Sequence, residues 1–343
     1  MRRIILVLLG LGLLAVGAWV AWWFIAANGQ RTGLEFWLEQ QRARGWQAES
    51  ASIEATGFPG DVTLSIREPR LADPRTGWSW QAPELTAVTD PFTPTRIAVT
   101  WPGEQQLGLT DDQITLVSEA MSTLLDLRPG PSMELREAAT EATALVANGR
   151  TGWTAAAQSL NIRLIERGED IAPPNSYDLR SEAVDLKLPK ELISDLDPTG
   201  LLKVKPKIDR VTLSGHAAFD DPIDRIAREE GRLAVRAATI REAGFSWGDM
   251  KLVVRGAFKV DDQGYPDGEI EIEAEEWERL IELAISSGAI DGDLAETIRG
   301  AVQLVTAFSG GGKDLSFPLG LGGGKVRIGP FAIADAPRLA APR

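Results

Sequence analysis

Few side chains in this sequence have the type and spacing that chemistry requires. His216 is the only histidine, set between Gly215 and Ala217 in a segment that alternates like a strand. A hydrolase triad or a histidine-rich metal site needs partners, and none accompanies it, so His216 reads as structural or solvent-facing. The stretch GLGGGKV, residues 320–326, has the outline of a phosphate-binding loop. It fails at two positions of that motif: Leu319 stands where the first glycine belongs, and Val326 replaces the metal-binding hydroxyl. It reads instead as a hairpin turn, and GGGK at 310–313 as a joint between helix and strand. The acidic loop DDQGYPDGE, residues 261–269, offers oxygen ligands from Asp261, Gln263 and Asp267, without the ligand order or final glutamate of an EF-hand. Glu275 and Glu276 read as solvated charge on an exposed helix face. The chain has no cysteine, which excludes disulfides, thiolate metal sites and a cysteine nucleophile. The expectation is a protein that is not an enzyme, with no catalytic residue, no metal and no cofactor.

Acidic residues outnumber Lys and Arg by 49 to 36, for a formal charge of -13. A nucleic-acid partner calls for a basic stripe and is therefore excluded. The clearest signal lies at the N-terminus. After Met1-Arg2-Arg3, residues 4–27 read IILVLLGLGLLAVGAWVAWWFIAA, an uncharged run long enough to cross a bilayer as a helix. Trp19, Trp22 and Trp23 fall toward its far end, where aromatic rings favour the membrane interface. The small residues Val16-Gly17-Ala18 would suit a signal peptidase, but the apolar run continues beyond them to Ala27. An uncleaved signal-anchor is the expectation. Arg2 and Arg3 precede the run while Arg31, Arg42 and Arg44 follow it, so counting positive charges leaves the orientation open. The two-arginine start has the form of an export signal and places the large C-terminal part outside the cytoplasm.

The elements behind the anchor are mostly strands. Leu34, Trp37, Leu38 and Gln41 recur at helical spacing, with Gly45 as a stop, so this helix extends the anchor or lies against the first sheet. From Trp46 the period changes to two. Val62, Leu64 and Ile66 alternate with Thr63, Ser65 and Arg67, and residues 57–60, GFPG, form the turn from the preceding strand. Further strands are expected over 80–88, 96–101, 113–118, 159–166, 177–188, 211–218, 315–321 and 325–333. Short turns between them imply antiparallel pairing, since parallel neighbours need long crossovers. Leu252, Val254, Phe258 and Val260 line one side of strand 251–260, with Lys251, Arg255 and Lys259 on the other. Short helices fit 191–196 and 222–230. A helical hairpin fits 275–309, where Trp277, Leu280, Ile281, Ala284 and Ile285 make one apolar face.

One phrase occurs twice. Gly77-Trp78-Ser79-Trp80 with Leu85 is echoed by Gly244-Phe245-Ser246-Trp247 with Leu252. Each copy is expected at the entry to a strand, with Trp80 and Trp247 in equivalent inward positions of a repeated sheet element. Tryptophan is frequent, eleven against two tyrosines. If Trp78, Trp101 and Trp153 were exposed they could stack on sugar rings of the cell wall; buried, they are sheet core.

The order of these features resembles a bacterial inner-membrane family, domain of unknown function 2125. The resemblance runs over nearly the whole chain. It is carried by the anchor, RGW at 44–46 with GFPG at 57–60, WSWQAPELTA at 78–87, the stretch 244–273 and VRIGPFAIADAPRL at 326–339. It implies no activity and no catalytic residue. The layout, an anchor followed by a long β-rich part, is also similar to AsmA-like envelope proteins that handle lipid.

The expected fold is mainly β with some α: a long curved antiparallel sheet with a few packed helices, preceded by one transmembrane helix. The expected divisions are an anchor at 1–28, a β-rich lobe at 29–130, a second at 131–335 holding the helical hairpin, and a disordered tail at 336–343. The implied function is envelope maintenance on the periplasmic side of the bacterial inner membrane, through lipid binding or contact with other envelope proteins. The apolar strand faces at Val62, Leu64, Ile66, Leu252, Val254, Phe258 and Val260 serve as ligand surface or as core. The alternatives are a carbohydrate-binding module and an uncharacterised hydrolase.

Overall fold

The computed structural model describes residues 2–340 apart from 169, 171, 230, 231, 289, 291, 293 and 301–313. The chain forms two compact units, Met1–Leu127 with Gly149–Thr151, and Arg128–Asn148 with Gly152–Arg343.

The first unit begins with α1 (Arg2–Ala43), a single helix of 42 residues. At ~1.5 Å per residue it is about 63 Å long. It is apolar and long enough to cross a membrane. Of the two placements open to the helix at 33–45, extension of the apolar run is the one found, because nothing in residues 28–33 breaks the hydrogen-bond ladder. The stop is Gly45, at φ 88°. Its N–H bonds the Arg42 carbonyl at 2.9 Å, and the Trp46 N–H bonds the Gln41 carbonyl at 3.1 Å, the paired bonds of a glycine-terminated helix. Residues 9–18 touch little, whereas Trp23, Ala27, Leu38 and Gln41 are buried. One helix is thus apolar all round at its start and one-sided at its end.

Five runs of chain follow, each interrupted once. β1 (Gln47–Glu49) leads to β2 (Ser52–Thr56), β3 (Val62–Arg67) to β4 (Arg70–Asp73), β5 (Trp78–Gln81) to β6 (Glu84–Asp90), β7 (Thr93–Thr100) to β8 (Glu104–Gly108), and β9 (Gln113–Val117) to β10 (Ala120–Leu127). The halves form two antiparallel ladders, β2-β3-β6-β7-β10 and β1-β4-β5-β8-β9. Each run therefore has the same neighbours on both sides of its interruption, and the unit is one meander folded along a crease. Pro69, Pro83 and Pro102 lie on that line. Proline lacks an N–H for a ladder, so the crease falls where none is needed. Bonds still cross it, from Glu68 N–H to the Pro83 carbonyl at 2.8 Å and from Ala82 N–H to the Pro69 carbonyl at 3.2 Å. The strand expected over 80–88 is accordingly broken at Ala82-Pro83.

The second unit is a longer meander. Its strands are β11 (Leu135–Gly149), β12 (Thr154–Glu166), β13 (Ser176–Lys187), β14 (Lys207–Phe219), β15 (Val235–Trp247), β16 (Met250–Val260), β17 (Pro266–Glu275), β18 (Asp314–Gly322), β19 (Lys325–Ile328) and β20 (Phe331–Asp335). Each pairs antiparallel with the next. Short helices α2 (Lys190–Leu196), α3 (Arg225–Glu229) and α4 (Trp277–Ser286) interrupt it. α4 and a helical stretch at 294–300 occupy the place of the expected hairpin; the rest of the second helix, and GGGK at 310–313, lie outside the described residues. Glu275 ends β17 and Glu276 takes a left-handed conformation before α4, so the pair sits at a strand-to-helix corner and not on a helix face. The GLGGGKV stretch is the β18–β19 turn.

Two further expectations are corrected. Residues 336–340, expected in a disordered tail, are held down. The Ala336 N–H bonds the Gly324 carbonyl at 2.9 Å, the Leu339 N–H bonds the Gly264 carbonyl at 2.8 Å, and Arg338 lies 5.0 Å over the Tyr265 ring. The duplicated phrase does not mark a repeated element either. Gly77 is a turn residue before β5, whereas Gly244 lies inside β15 and Trp247 ends it. Trp80 and Trp247 are both buried, with the indole N–H of Trp80 on Gln105 Oε1 at 3.0 Å and that of Trp247 on the Lys205 carbonyl at 2.8 Å. They share a chemical solution, a large ring buried with its donor satisfied.

A Cβ added at Gly244 would run into the carbonyl oxygen of Leu252 on β16, whereas at Gly320 the nearest atom is 3.9 Å away. Gly244→Ala must push two central strands apart and is expected to cost about 3 kcal/mol. Gly320→Ala should stay within about 0.5 kcal/mol of the parent. Urea unfolding of the full-length protein in mild detergent, followed by tryptophan fluorescence, measures both.

Candidate functional site

Along a strand, residues two apart share a face, and pairing register carries that face to the next strand. In the second unit one row runs Thr140, Ile162, Ser181, Leu213, Ala243, Val254, Ile272, Phe317, from β11 to β18. On one side of it runs Ala142, Leu160, Ala183, Val211, Phe245, Leu252, Ala274, Leu315. On the other runs Ala138, Leu164, Leu179, Gly215, Ile240, Gly256, Ile270, Leu319. None of these residues is charged. Seven inter-strand steps of ~4.8 Å make the face about 34 Å across.

The opposite face is its chemical inverse. A single row there reads Glu141, Asn161, Glu182, Thr212, Gly244, Val253, Glu273, Ser316. Cross-strand pairs lace it: Arg163 with Glu137 at 2.7 Å, Arg255 with Glu273 at 2.5 Å, Lys251 with Glu275 at 3.2 Å, and Arg210 with Glu182. Exposed pairs of this kind contribute roughly 0–1 kcal/mol each. Their effect is to keep that side wet and so to decide which side is apolar.

The apolar face is covered at one end and open at the other. Leu315, Phe317, Leu319 and Ile328 are buried against Ile270, Ile272, Trp277 and Ile298. Trp247, Met250 and Leu196 form a second cluster with Ile193 of α2 and Leu280 and Leu283 of α4. Toward β12 and β14 the cover ends: Ile162 and Leu213, in the central row, are each 40% exposed. The strand face singled out from sequence straddles the transition, with Leu252, Val254 and Phe258 half-buried and Val260 buried. Val62, Leu64 and Ile66 belong to the first unit and are core there, Val62 packing on Trp23 and Ala27 of α1. The open positions Ile162 and Leu213 lie in segments that alternate visibly, 159–166 and 211–218. Their exposure is a fact of tertiary cover and leaves no mark on their own strands.

The tryptophans do not supply a sugar platform. Trp78, Trp101 and Trp153 are half-buried. Trp46 and Trp78 pack at 5.7 Å, and Trp101 meets Trp80 edge-on at 5.7 Å while donating its N–H to Thr123 Oγ1 at 2.9 Å. Of all eleven, only Trp22 in the apolar part of α1 is exposed. Nor does the acidic loop present free oxygens at its centre: Asp261 Oδ1 accepts the N–H groups of Gln263 and Tyr265, both at 2.9 Å, closing the β16–β17 turn. Among the described residues no three of His, Asp and Glu are grouped to hold a metal.

The family comparison adds to this geometry. The family described as "Uncharacterized protein conserved in bacteria (DUF2125)" matches residues 23–337. The chain belongs to it. The match opens at Trp23, which is buried, and closes two residues beyond β20, so it reaches both units of this DUF2125 member. No curated protein and no solved structure matches the chain.

His216 lies on the polar face opposite Asp178. Asp178 is itself bound by Arg241 at 2.7 Å and Arg167 at 3.6 Å. Burial, and then the Arg167 charge, hold the imidazole below the usual histidine pKa, against the pull of Asp178. The unfolded chain therefore takes up this proton before the folded chain does, at about pH 6.5. Stability from this residue is present above that pH and is lost as pH falls through it. Between about pH 7.5 and about pH 5.5 the urea midpoint of the parent should fall further than that of His216→Gln; equal falls would remove the assignment.

Proposed function

We propose that this protein is a non-enzymatic, membrane-anchored lipid-binding component of the bacterial envelope, with both units on the periplasmic side of the inner membrane and α1 as the anchor. The observation that carries the reading is the uncharged face of the second unit, three rows deep across eight strands, left open at Ile162 and Leu213. A soluble sheet ordinarily buries such a face or makes it polar, and a contiguous exposed apolar patch marks a binding site. An acyl chain reaches across half of a hydrocarbon core of about 30 Å, so the face is wide enough to receive one along its rows. The head group then lies at an edge of the face, near water. The half covered by α2 and α4 acts as fixed core and keeps the open half in shape.

Nothing in the geometry favours the carbohydrate reading, since the rings it requires are engaged with protein. The hydrolase reading gains nothing from the one histidine, which faces an aspartate already committed to two arginines.

Adjacent residues on opposite faces provide the test. A photoreactive phenylalanine analogue at Leu213 or Ile162, in the full-length protein in its native membrane, should form lipid adducts identifiable by mass spectrometry. The same analogue at Thr212, one residue away on the charged face, should not. Equal labelling at 212 and 213, or sugar adducts at 213, would sink the proposal. Leu213→Glu should abolish adducts at Ile162 and, because the site is already exposed, change stability by less than about 1 kcal/mol.

A further inference from the structure

Two hairpin tips of the first unit carry aromatic rings to one level of α1. At the β2–β3 turn, Phe58 packs on Trp23 at 5.4 Å and on Phe24 at 5.8 Å, and the Trp23 indole donates to the Gly60 carbonyl at 2.8 Å. At the β6–β7 turn, Phe92 stacks on Trp19 at 5.2 Å and Trp22 at 6.2 Å, and the Trp22 indole donates to the Pro91 carbonyl at 3.2 Å. These contacts leave much of each ring uncovered: Phe58 is 46% exposed and Phe92 63% exposed. The rings at the tips join the exposed apolar side of α1, where Phe24 and Ile25 are open as well.

Position along the helix says what covers them. From residue 4 to residue 23 is about 30 Å at ~1.5 Å per residue, the thickness of a hydrocarbon core. If the run from residue 4 spans the bilayer, Trp19, Trp22 and Trp23 stand at its far boundary, the level that tryptophan prefers. The tips are bonded to those same tryptophans and so stand at that level too. Asp61 and Asp90, exposed beside the tips, oppose entry into hydrocarbon and fix the depth at the head groups.

We propose that residues 57–60 and 90–93 are seated in the head-group layer of the bilayer, so that the first unit is held to the membrane by its sheet as well as by α1. The partner is the lipid interface itself, on the side of the membrane where the folded units lie. This inference rests on α1 spanning the membrane and is independent of the apolar face of the second unit.

The absence of cysteine makes site-specific spin labelling direct. The full-length protein is reconstituted into vesicles of phosphatidylethanolamine and phosphatidylglycerol, with a single label at Asp61→Cys, Thr93→Cys, Asp111→Cys or Leu13→Cys. Collisions with dissolved oxygen and with a water-soluble nickel chelate are then compared. Asp111 lies in the β8–β9 turn, at the other end of the strands from Phe92. Labels at 61 and 93 should be shielded from the chelate relative to 111, with an oxygen-to-nickel ratio between those of 111 and 13. Phe58→Ser with Phe92→Ser should return the ratios at 61 and 93 toward that of 111 while leaving 13 unchanged. If 13 reads as hydrocarbon but 61 and 93 match 111, the seating is wrong and the anchor stands. If 13 itself reads as aqueous, both fall.

Discussion

The second unit depends on keeping a two-residue alternation in register across eight consecutive strands. Side chains on a pleated strand go to opposite faces by turns, so one slipped residue would exchange an apolar row for a charged one. The close approach of β15 to β16 at Gly244, where there is no room for a Cβ, fixes the register locally. Irregularities occur and are absorbed without reversing the faces. Between Ile240 and Ala243 the pairing of β15 with β16 shifts. Arg241 then reaches Asp178 and the Gly215 carbonyl on neighbouring strands. An extra residue in the ladder is placed where its charge has partners, and apolar residues on either side of it stay on one face.

That constraint explains why the two faces behave so differently. Ion pairs along the charged face are individually weak, and few of them would be missed alone. Their collective role is to make one side of the sheet soluble, which leaves helices α2 and α4 only the other side to cover. The cover packs on the β15–β18 side of that face, while Ile162 and Leu213 stay open.

Legibility in the sequence tracks how local each feature is. The apolar N-terminal run, the alternation at Val62 to Ile66 and at Leu252 to Val260, and the apolar stripe of α4 are written in single segments and can be read there. β11 is different: LREAATEATALVANG is rich in alanine and glutamate, residues that favour helix, and it is a strand because β12 pairs with it along its length. The crease of the first unit was hidden for a related reason. Pro69, Pro83 and Pro102 punctuate the chain as turns would, and only the bonds that cross the interruptions make them bends within continuing strands. In the site, which residues are apolar and share a face was legible; which of them lack cover was not, since cover comes from helices distant in sequence. The echo around Trp80 and Trp247 misled because similar words served a strand's start in one place and its end in another.

The helix that enters the first sheet is the same helix, without a break, that begins at residue 2. A flexible tether would let a folded unit wander, so that its height above the bilayer and the direction it faces were averages. With α1 as the proposed anchor, a rigid post sets both as single values. About twenty residues of α1 lie beyond Trp23, on the order of 30 Å, and the sheet is packed along them. Azimuth is coupled to height by the helical screw, ~100° for every ~1.5 Å. Raising the first unit by even one residue would turn it to face another quarter of the membrane plane.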